Sequence, residues 1–398
     1  MSNHSWRLAL LFNFLLLLNS SFAQSGDSFI QPDDGFTQPG ETERLDTIEG
    51  QLLGLQDQLT ALQDEKVDDK SLHWYWDSGM RLANADKSFK LRWGGRIHND
   101  YAFFSQDDEL VLAIGNIPNG TEFRRAEFYS EGIIYDSVEY KIEMEFAGGL
   151  SFEDVYIALL DLPIGTVRVG FDEEEFSMDE LTSNKYITFM ERSLPTAFKP
   201  GHSRGISVRD WYYDRRLRLT AGLFRDTARY GESTSVAGED FSVTGRATCL
   251  PIYECEGQYL LHLGVAGTYR RPANDTVTFR KRPESHMAFN MVNTGAIATE
   301  QLRMADAELA AVFGRLFLQT EYTVAMVDRP AGSDAMLWGY YIHVGYFLTG
   351  EYKPYDQGDG VFGRVQPLNN FVTGDGRFGG AWEIATRYSV LDLNDLDI

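Results

Sequence analysis

The sequence predicts an all-β membrane protein, an antiparallel transmembrane β-barrel preceded by a short N-terminal coiled-coil helix. Two observations predict the barrel. Apolar and charged residues alternate strictly from Val138 to Phe146, and the same pattern recurs along the chain. In addition, no apolar run after Ala23 approaches the about 20 residues that a transmembrane helix needs. A large secreted β-sandwich or propeller also has many short strands, but it does not need apolar residues on its outer face.

The segment from Val138 to Phe146 has one apolar face and one charged face. Successive side chains of a β-strand point to opposite faces of the sheet. One face carries Val138, Tyr140, Ile142, Met144 and Phe146, and the other carries Glu139, Lys141, Glu143 and Glu145. The apolar face suits hydrocarbon and the charged face suits water, as in the wall of a transmembrane barrel.

The N-terminal residues have the pattern of a secretory signal. Arg7 precedes the apolar run Leu8–Leu18, and small residues lead up to Ala23. Because this run is too short to span a membrane, we expect residues 1–23 to be a cleaved signal peptide. Residues 24–42 are rich in Ser, Gly, Gln, Pro and Asp and are predicted to form a linker.

Residues 43–66 are predicted to form a coiled-coil helix. Apolar residues recur there at alternating spacings of three and four, as at the a and d positions of a coiled coil. They are Leu45, Ile48, Leu52, Leu55, Leu59 and Leu62. The alternatives are a coiled coil between copies of the chain, which would suit a trimer, and a single amphipathic helix lying on its own barrel.

The composition excludes several classes of protein. The 37 Gly, 20 Tyr and 26 Phe fit many strands with tight turns and aromatic girdles. The formal net charge of −23 argues against nucleic-acid binding, which requires a basic surface. Motifs such as G-x-S-x-G and H-E-x-x-H are absent and the 7 histidines are scattered. We therefore expect neither an enzyme nor a cofactor nor a metal site.

About thirteen segments from Phe89 onward show strand patterns near the length of bilayer-crossing strands. They are residues 89–103, 126–134, 138–146, 155–159, 167–169, 206–208, 217–223, 241–248, 258–270, 304–313, 315–327, 335–349 and 382–388. A membrane barrel must close, because an open edge in hydrocarbon leaves backbone groups unpaired. Thirteen is an odd count, whereas single-chain bacterial barrels normally have an even number of strands.

Residues 171–205 do not fit a tight turn between two strands, because they lack clean alternation. Long ordered insertions in compact domains are usually functional. The segment contains the apolar residues Leu181, Tyr186, Ile187, Phe189, Met190 and Leu194, which predict that it packs against the protein. We expect it to fold into the barrel and to narrow it. Its basic residues, Lys185, Arg192, Lys199, His202 and Arg204, are candidates to face the narrowed space.

The two cysteines, Cys249 and Cys255, lie six positions apart around Pro251. In an oxidising compartment such a pair could close a turn disulfide. Free thiols are the alternative, because the sequence does not show the geometry that a disulfide requires.

Several short motifs occur in the order found in one known family. They are Gly94-Gly95-Arg96, Phe123-Arg124-Arg125-Ala126, Leu181-Thr182-Ser183-Asn184-Lys185, Glu191-Arg192-Ser193, Leu348-Thr349-Gly350-Glu351 and Gly380-Ala381-Trp382-Glu383. From about Phe89 to the last residue, the chain resembles the phosphate-selective porin O and P family. The resemblance implies an outer-membrane barrel of about sixteen strands. It also implies a trimer that passes small anions such as phosphate through an arginine-lined, loop-constricted channel.

The resemblance also suggests which residues line the pore and bind anions. The candidates are Arg96, Arg124, Arg125, Lys185, Arg280, Lys281 and Arg282, together with Arg192 of the inserted segment. Guanidinium groups offer forked donors to phosphate oxygens, and a row of them lets an anion pass without being trapped. Because neighbours on a regular strand point to opposite faces, Arg125 is expected to face the lumen and Arg124 to lie outward or at a rim. The alternative for each is a salt-bridged or loop-exposed charge.

Acidic residues stand where the resemblance leads us to expect basic ones. The run Asp172-Glu173-Glu174-Glu175 leads into the inserted segment, and Glu180 precedes its Leu181-Thr182-Ser183 motif. Such side chains would repel phosphate and attract its counter-ions. The leading hypothesis is diffusion of small anions, and the alternatives are a general or cation-favouring porin and a non-conducting structural envelope protein.

The chain ends in a polar tail at Ile398, where the family continues for about three more strands. We therefore expect residues 89–398 to form a porin barrel that is incomplete at its C-terminus. The expected setting is the bacterial outer membrane, with membrane lipid and small anions as partners and a homotrimer as the assembly.

Overall fold

The computed structural model describes residues 50–51, 54, 71–77, 79–225, 240–272, 274–372, 379–395 and 398. The predicted signal peptide and linker lie outside the described residues. So does the predicted coiled coil, except that Gly50, Gln51 and Gly54 are helical. The chain divides into two units, Met1–Asp68 and Asp69–Ile398, and all that follows concerns the second unit. No helix in the described ranges is long and apolar enough to cross a membrane.

The second unit is built on one antiparallel sheet, which has 15 strands in the described part of the chain. The strands of this main sheet are β1 (His73–Trp76), β2 (Met80–Ala83), β3 (Phe89–Ala102), β4 (Gly120–Ile134), β5 (Val138–Glu145), β6 (Ser151–Leu162), β7 (Gly165–Glu173), β8 (His202–Tyr212), β9 (Leu217–Arg225), β10 (Phe241–Glu254), β11 (Tyr259–Arg271), β16 (Gln301–Phe313), β17 (Leu316–Asp328), β18 (Ala335–Phe347) and β21 (Glu383–Asp392). Each strand pairs with the strands before and after it in this order, and β1 and β21 are the two edges.

Short elements lie in the connections between these strands. Three two-stranded hairpins pair β12 (Thr276–Val277) with β15 (Ile297–Ala298), β13 (Arg280–Lys281) with β14 (Val292–Asn293), and β19 (Tyr355–Asp356) with β20 (Val361–Phe362). The helices are α1 (Asp108–Ile114), α2 (Met178–Leu181) and the 3-10 turns Leu194–Phe198 and Cys255–Gly257.

Each of the thirteen predicted segments overlaps a strand of the main sheet, and none extends beyond that strand by more than 2 residues. The sequence analysis did not identify β1 and β2, which precede Phe89 and are 4 residues long each. In a segment of only four residues, alternation of apolar and polar residues cannot be distinguished from chance. The sheet therefore begins at His73, before the predicted boundary at residue 89.

The two faces of the sheet differ as the alternation predicted. Large apolar side chains are exposed on the outer face, including Ile97, Ile157, Leu219, Val265, Tyr322 and Ile342. Polar and charged side chains are buried on the inner face, including Glu143, Arg218, Thr244, Glu308 and Gln319. An apolar outer face and a polar inner face are typical of an all-β membrane protein.

The connections at the two ends of the sheet differ in length. One end carries tight turns, such as residues 135–137, 163–164, 213–216 and 314–315. The other end carries long connections, among them residues 103–119, 174–201 and 272–300. Residues 348–382 form a long connection at the tight-turn end, because they join β18 to β21 there.

Candidate functional site

Residues 174–201, between β7 and β8, form the first inserted segment, which lies against the inner face of the sheet. Its Phe176, Met178 and Phe198 are almost fully buried against side chains of β11, β16, β17 and β18. The backbone N–H of Asp179 donates to Glu321 Oε1 at 2.8 Å. The backbone N–H of Leu194 donates to Ser389 Oγ at 2.9 Å. The segment is therefore packed and hydrogen-bonded, as its apolar residues predicted.

The first inserted segment also contacts β3 and β4, which lie near the other edge of the sheet. Arg96 Nη1 on β3 donates to Asn184 Oδ1 at 2.6 Å. Arg124 Nη2 on β4 donates to Glu191 Oε2 at 3.1 Å. Because one segment contacts both β3–β4 and β17–β21, the sheet curves around it.

A first cavity of about 900 Å³ lies between this segment and strands β3–β8. Eight basic side chains line it, Arg96, Arg124, Arg125, Lys141, Arg168, Arg192, Lys199 and Arg209. Eleven acidic side chains also line it, Glu122, Glu127, Glu143, Glu145, Glu153, Asp154, Asp172, Glu173, Glu175, Glu180 and Asp359. The acids outnumber the lysines and arginines, and His202 and His286 also lie in this lining.

Four of the predicted site residues meet in the first cavity, namely Arg96, Arg124, Arg125 and Arg192. Arg96 forms ion pairs with Glu127 and Glu143 and donates a hydrogen bond to Asn184. Arg125 forms no ion pair with an Asp or Glu of the described residues, and its Nη1 lies 3.5 Å from His98 Nδ1. Arg192 donates to the backbone carbonyls of the inserted segment itself, so it holds the shape of that segment.

Arg124 and Arg125 both line the first cavity, so Arg124 does not point outward, which was one of the two positions expected for it. The β3–β4 register pairs His98 with Arg125 but Asn99 with Phe123, which leaves Arg124 as an extra residue. Such a β-bulge puts two residues opposite one and breaks the alternation locally. Phe123 remains exposed on the outer face, and both guanidinium groups reach the first cavity.

Three of the four acids in the run 172–175, at the start of the first inserted segment, are paired with arginines. Glu175 accepts two hydrogen bonds from Arg218, at 2.8 and 2.6 Å. Glu174 accepts from Arg270 Nη1 at 2.9 Å. These acids neutralise inner-face arginines, and their charges are less available to repel an anion than the sequence suggested.

Residues 348–382 form a second inserted segment, which enters from the tight-turn end. Its Tyr355, Val361 and Phe362 are buried beside Phe317. Arg246 on β10 donates to the carbonyl of Gly360 at 2.8 Å. The sequence analysis did not predict this insertion.

The two inserted segments meet at a second cavity of about 430 Å³. Its charged lining consists of Arg92, Lys185, Lys353, Arg364 and Glu383. Among the described residues, no Asp or Glu forms an ion pair with Lys185, Lys353 or Arg364. Burial, and to a lesser degree Arg96, lowers the pKa of Lys185, whose Nζ lies 5.2 Å from the ring centre of Tyr129. This cavity has an excess of positive charge.

The predicted basic cluster at residues 280–282 lines a third cavity of about 360 Å³ with Arg192. Lys281 Nζ donates to Thr196 Oγ1 of the first inserted segment, and Arg282 donates to the carbonyl of His286. Burial lowers the pKa of Lys281. Glu191 and Glu284 lie in the same lining, so the cluster is only partly offset by acids. The structure thus distributes the eight candidate residues over three cavities along the first inserted segment.

Cys249 and Cys255 are free thiols, and the turn disulfide considered from their spacing is not formed. Cys249 lies within β10 and Cys255 follows the end of that strand. Six residues of extended strand span about 20 Å, whereas a disulfide needs Cα atoms within about 7 Å.

Comparison with known proteins identifies the family. The sequence profile of "Phosphate-selective porin O and P" matches residues 91–397. An uncharacterized protein of Caulobacter vibrioides is 30% identical over 332 residues, which are 80% of this chain and 64% of that protein. Porin O of Pseudomonas aeruginosa is 25% identical over 349 residues, which are 80% of this chain and 76% of Porin O.

Among solved structures, the trimer form of the outer-membrane protein OmpT of Vibrio cholerae aligns with a TM-score of 0.36 and 11% identity. The alignment covers 76% of this chain and 99% of OmpT. The chain spans just under two thirds, 64%, of the length of the Caulobacter relative. The profile match covers most of the chain, which is therefore a protein of the bacterial outer membrane and belongs to the phosphate-selective porin O and P family.

Proposed function

We propose that the chain forms a porin through which small solutes diffuse passively across the outer membrane, without chemistry. The observation that carries the proposal is the pair of unlike faces of the main sheet, apolar outside and charged inside. The inner face packs against an inserted segment whose cavities are lined by charged side chains. Family membership supports the same function.

Small anions, phosphate-like by family resemblance, are the proposed solutes. The second cavity supports this, because Lys185, Lys353 and Arg364 lack carboxylate partners among the described residues. Lys353 Nζ already donates to the Tyr186 carbonyl at 3.0 Å and to Thr188 Oγ1 at 3.1 Å, which leaves one of its three N–H groups. Cations without an ion-paired carboxylate can donate their remaining N–H groups to a passing anion. Several weak basic positions in series would let the anion leave as easily as it enters.

The remaining candidates are proposed to line the path to this cavity. On this path, the first cavity would be lined by Arg96, Arg124, Arg125 and Arg192. The third cavity would be lined by Arg280, Lys281 and Arg282. We further propose that the sheet is part of a closed barrel in membrane lipid, because an open edge there is costly. The family resemblance favours a homotrimer.

A cation-favouring porin is the second candidate, because acids outnumber lysines and arginines in the larger, first cavity. Acidic linings attract cations and raise their local concentration. The two candidates predict opposite signs of ion selectivity in the same experiment.

The test is the zero-current potential of the full-length protein in a planar bilayer with a KCl gradient. Anion preference supports the first candidate, and cation preference supports the second. The double variant Lys353→Gln/Arg364→Gln is expected to lower the anion-to-cation permeability ratio and to weaken block of chloride current by phosphate. Arg303→Gln is the matched control, since Arg303 pairs with Asp328 at the end of β16, away from the cavity.

A folded, full-length protein that gives no single-channel steps would contradict both candidates. Such a result would favour the non-conducting structural envelope protein.

A further inference from the structure

Three buried carboxylates meet on the inner face, on neighbouring strands. Asp306 and Glu308 lie on β16, and Glu321 lies on β17 directly opposite Glu308. One carboxylate oxygen of each lies within 4.8 Å of the others. All three residues are at most 4% exposed. Like charges directly opposite one another destabilise a sheet unless something neutralises them.

The protein neutralises only one of the three. Glu308 accepts hydrogen bonds from Arg246 Nε and Nη2, both at 2.8 Å, and lies 3.0 Å from His262 Nε2. Neither Asp306 nor Glu321 forms an ion pair with a Lys, Arg or His of the described residues. Two buried acids are therefore left without a protein cation, which is costly for a buried charge.

One oxygen of each of these two acids also lacks a hydrogen-bond donor. Asp306 Oδ1 accepts from Thr323 Oγ1, and Glu321 Oε1 accepts from Tyr341 and from the N–H of Asp179. The second oxygens, Asp306 Oδ2 and Glu321 Oε2, are buried and have no partner. Buried polar atoms without a partner are rare in native structures, so such a pair points to a ligand.

We propose that Asp306 and Glu321 bind one divalent cation of the hard, oxygen-preferring class, such as Ca²⁺, between these two free oxygens. Two carboxylates without an ion-paired protein cation supply the charge that a divalent ion neutralises. Calcium accepts carboxylate oxygens in flexible geometry and completes its shell with water. Histidine and thiolate ligands, which softer metals prefer, do not take part in this pair.

The ion would act on the first inserted segment through Glu321. The same carboxylate that binds the cation accepts the hydrogen bond from the Asp179 N–H at its other oxygen. Binding at Oε2 fixes the carboxylate, and thereby the anchor of the segment on β17. The bound ion would hold the first inserted segment against β17 and would not lie on the path of the solute.

The test uses full-length protein refolded in detergent without lipopolysaccharide, which itself binds calcium. Equilibrium dialysis against CaCl2 is expected to give one tightly bound ion per chain, and Tm is expected to rise by several degrees over the value in EDTA. Asp306→Asn and Glu321→Gln are each expected to abolish both effects. Asp328→Asn, which removes another carboxylate of β17, is expected to keep both.

Absence of bound calcium and of the Tm increment in the wild-type protein would overturn the proposal. A Tm that responds to pH but not to calcium would also overturn it and would identify a proton shared between the two acids. Retention of both calcium effects in Asp306→Asn and Glu321→Gln would place the ion elsewhere. None of these measurements depends on channel conductance.

Discussion

At the scale of single residues, the inner face is held together by buried ion pairs. Glu175 lies within hydrogen-bonding distance of Arg218 and 3.4 Å from Arg209, and all three are largely buried. Removing one member of a buried pair leaves an uncompensated charge. The acid run of residues 172–175 is therefore a structural element of this wall as well as a source of negative potential.

We expect Glu175→Gln to lower the free energy of unfolding by about 3–5 kcal/mol, because it leaves the buried Arg218 without its carboxylate partner and removes one of the partners of Arg209. Urea unfolding in detergent, followed by tryptophan fluorescence, measures the change. Asp359→Asn is the control, since Asp359 is 62% exposed and lies 4.0 Å from Arg209. It should change stability by less than about 1 kcal/mol. Equal effects of the two substitutions would contradict the assigned role of the buried pair.

The sequence predicted the face to which a side chain points only where strict alternation holds. Arg125 was assigned to the inner face correctly, because it lies in the regular part of β4. The outward orientation expected for Arg124 was wrong, because a bulge inserts one residue without any signature in a single sequence. The thiol pair was ambiguous for a similar reason. The distance between the two thiols depends on whether the five residues between the cysteines extend or turn, and in the structure β10 extends.

At the scale of elements, the first inserted segment is fixed by a few large apolar side chains. Phe198 is fully buried, and its ring lies 5.1 Å from that of Phe279 on the neighbouring long connection. It also belongs to the cluster that includes Leu337 and Val327 on the far strands. One side chain thus joins two connections to the wall.

We expect Phe198→Ala to destabilise the protein by about 3–5 kcal/mol, because it leaves a cavity in this cluster. The loosened segment should also make single-channel currents noisier. Met190→Ala is the matched control on the same segment, because Met190 is 62% exposed and should have little effect on either measurement. Unchanged stability in Phe198→Ala would show that the segment is held by its hydrogen bonds alone.

The same segment carries an ionisable anchor that makes its packing depend on pH. Although burial alone raises the pKa of Glu180, Arg192 and Lys199 lower it well below its usual range. A carboxyl whose folded pKa is depressed stabilises the fold above its unfolded pKa, and this stabilisation is lost as pH falls towards the folded pKa. Its contribution is therefore present at neutral pH and fades below about pH 4.5.

We expect Glu180→Gln to lower Tm at pH 7 and to differ less from the wild type at pH 3, because part of the stabilisation is lost between these pH values. Thermal unfolding at a series of pH values gives the two curves. Glu109→Gln, on the exposed helix α1, should follow the wild-type curve at every pH. A constant offset between Glu180→Gln and wild type across this range would show that Glu180 is not the titrating anchor.

The two inserted segments show which elements a sequence reveals. Residues 174–201 were recognised because apolar residues occur in a long stretch without alternation. Residues 348–382 join β18 to β21 at the tight-turn end, and counting strands would have shown that a long connection there is unusual. Their buried residues, such as Tyr355 and Phe362, are few and widely spaced, so local pattern alone did not reveal the insertion.

At the scale of the whole molecule, the fold was predictable because one physical contrast repeats on every long strand. The apolar outer face and the charged inner face follow from alternation, and pairing of consecutive strands follows from the short turns. The balance of charge inside was less predictable. It depends on which acids pair with which arginines, and long-range contacts such as Glu174–Arg270 set that balance.

The prediction at the scale of the whole molecule concerns whether lipid or water contacts the outer face of the sheet. Ile342 lies mid-strand on β18 and is 44% exposed, whereas Phe313 ends β16 beside a tight turn and is 72% exposed. If hydrocarbon covers this face, Ile342→Arg costs about 2–4 kcal/mol and Phe313→Arg about 0–1 kcal/mol. Reversible folding into lipid vesicles measures both costs, with Ile342→Ala and Phe313→Ala as references for lost packing. Water would solvate both arginines alike, so equal free-energy costs of the two substitutions would contradict a lipid-facing surface. A larger cost at Ile342 than at Phe313 would place Ile342 near the bilayer midplane.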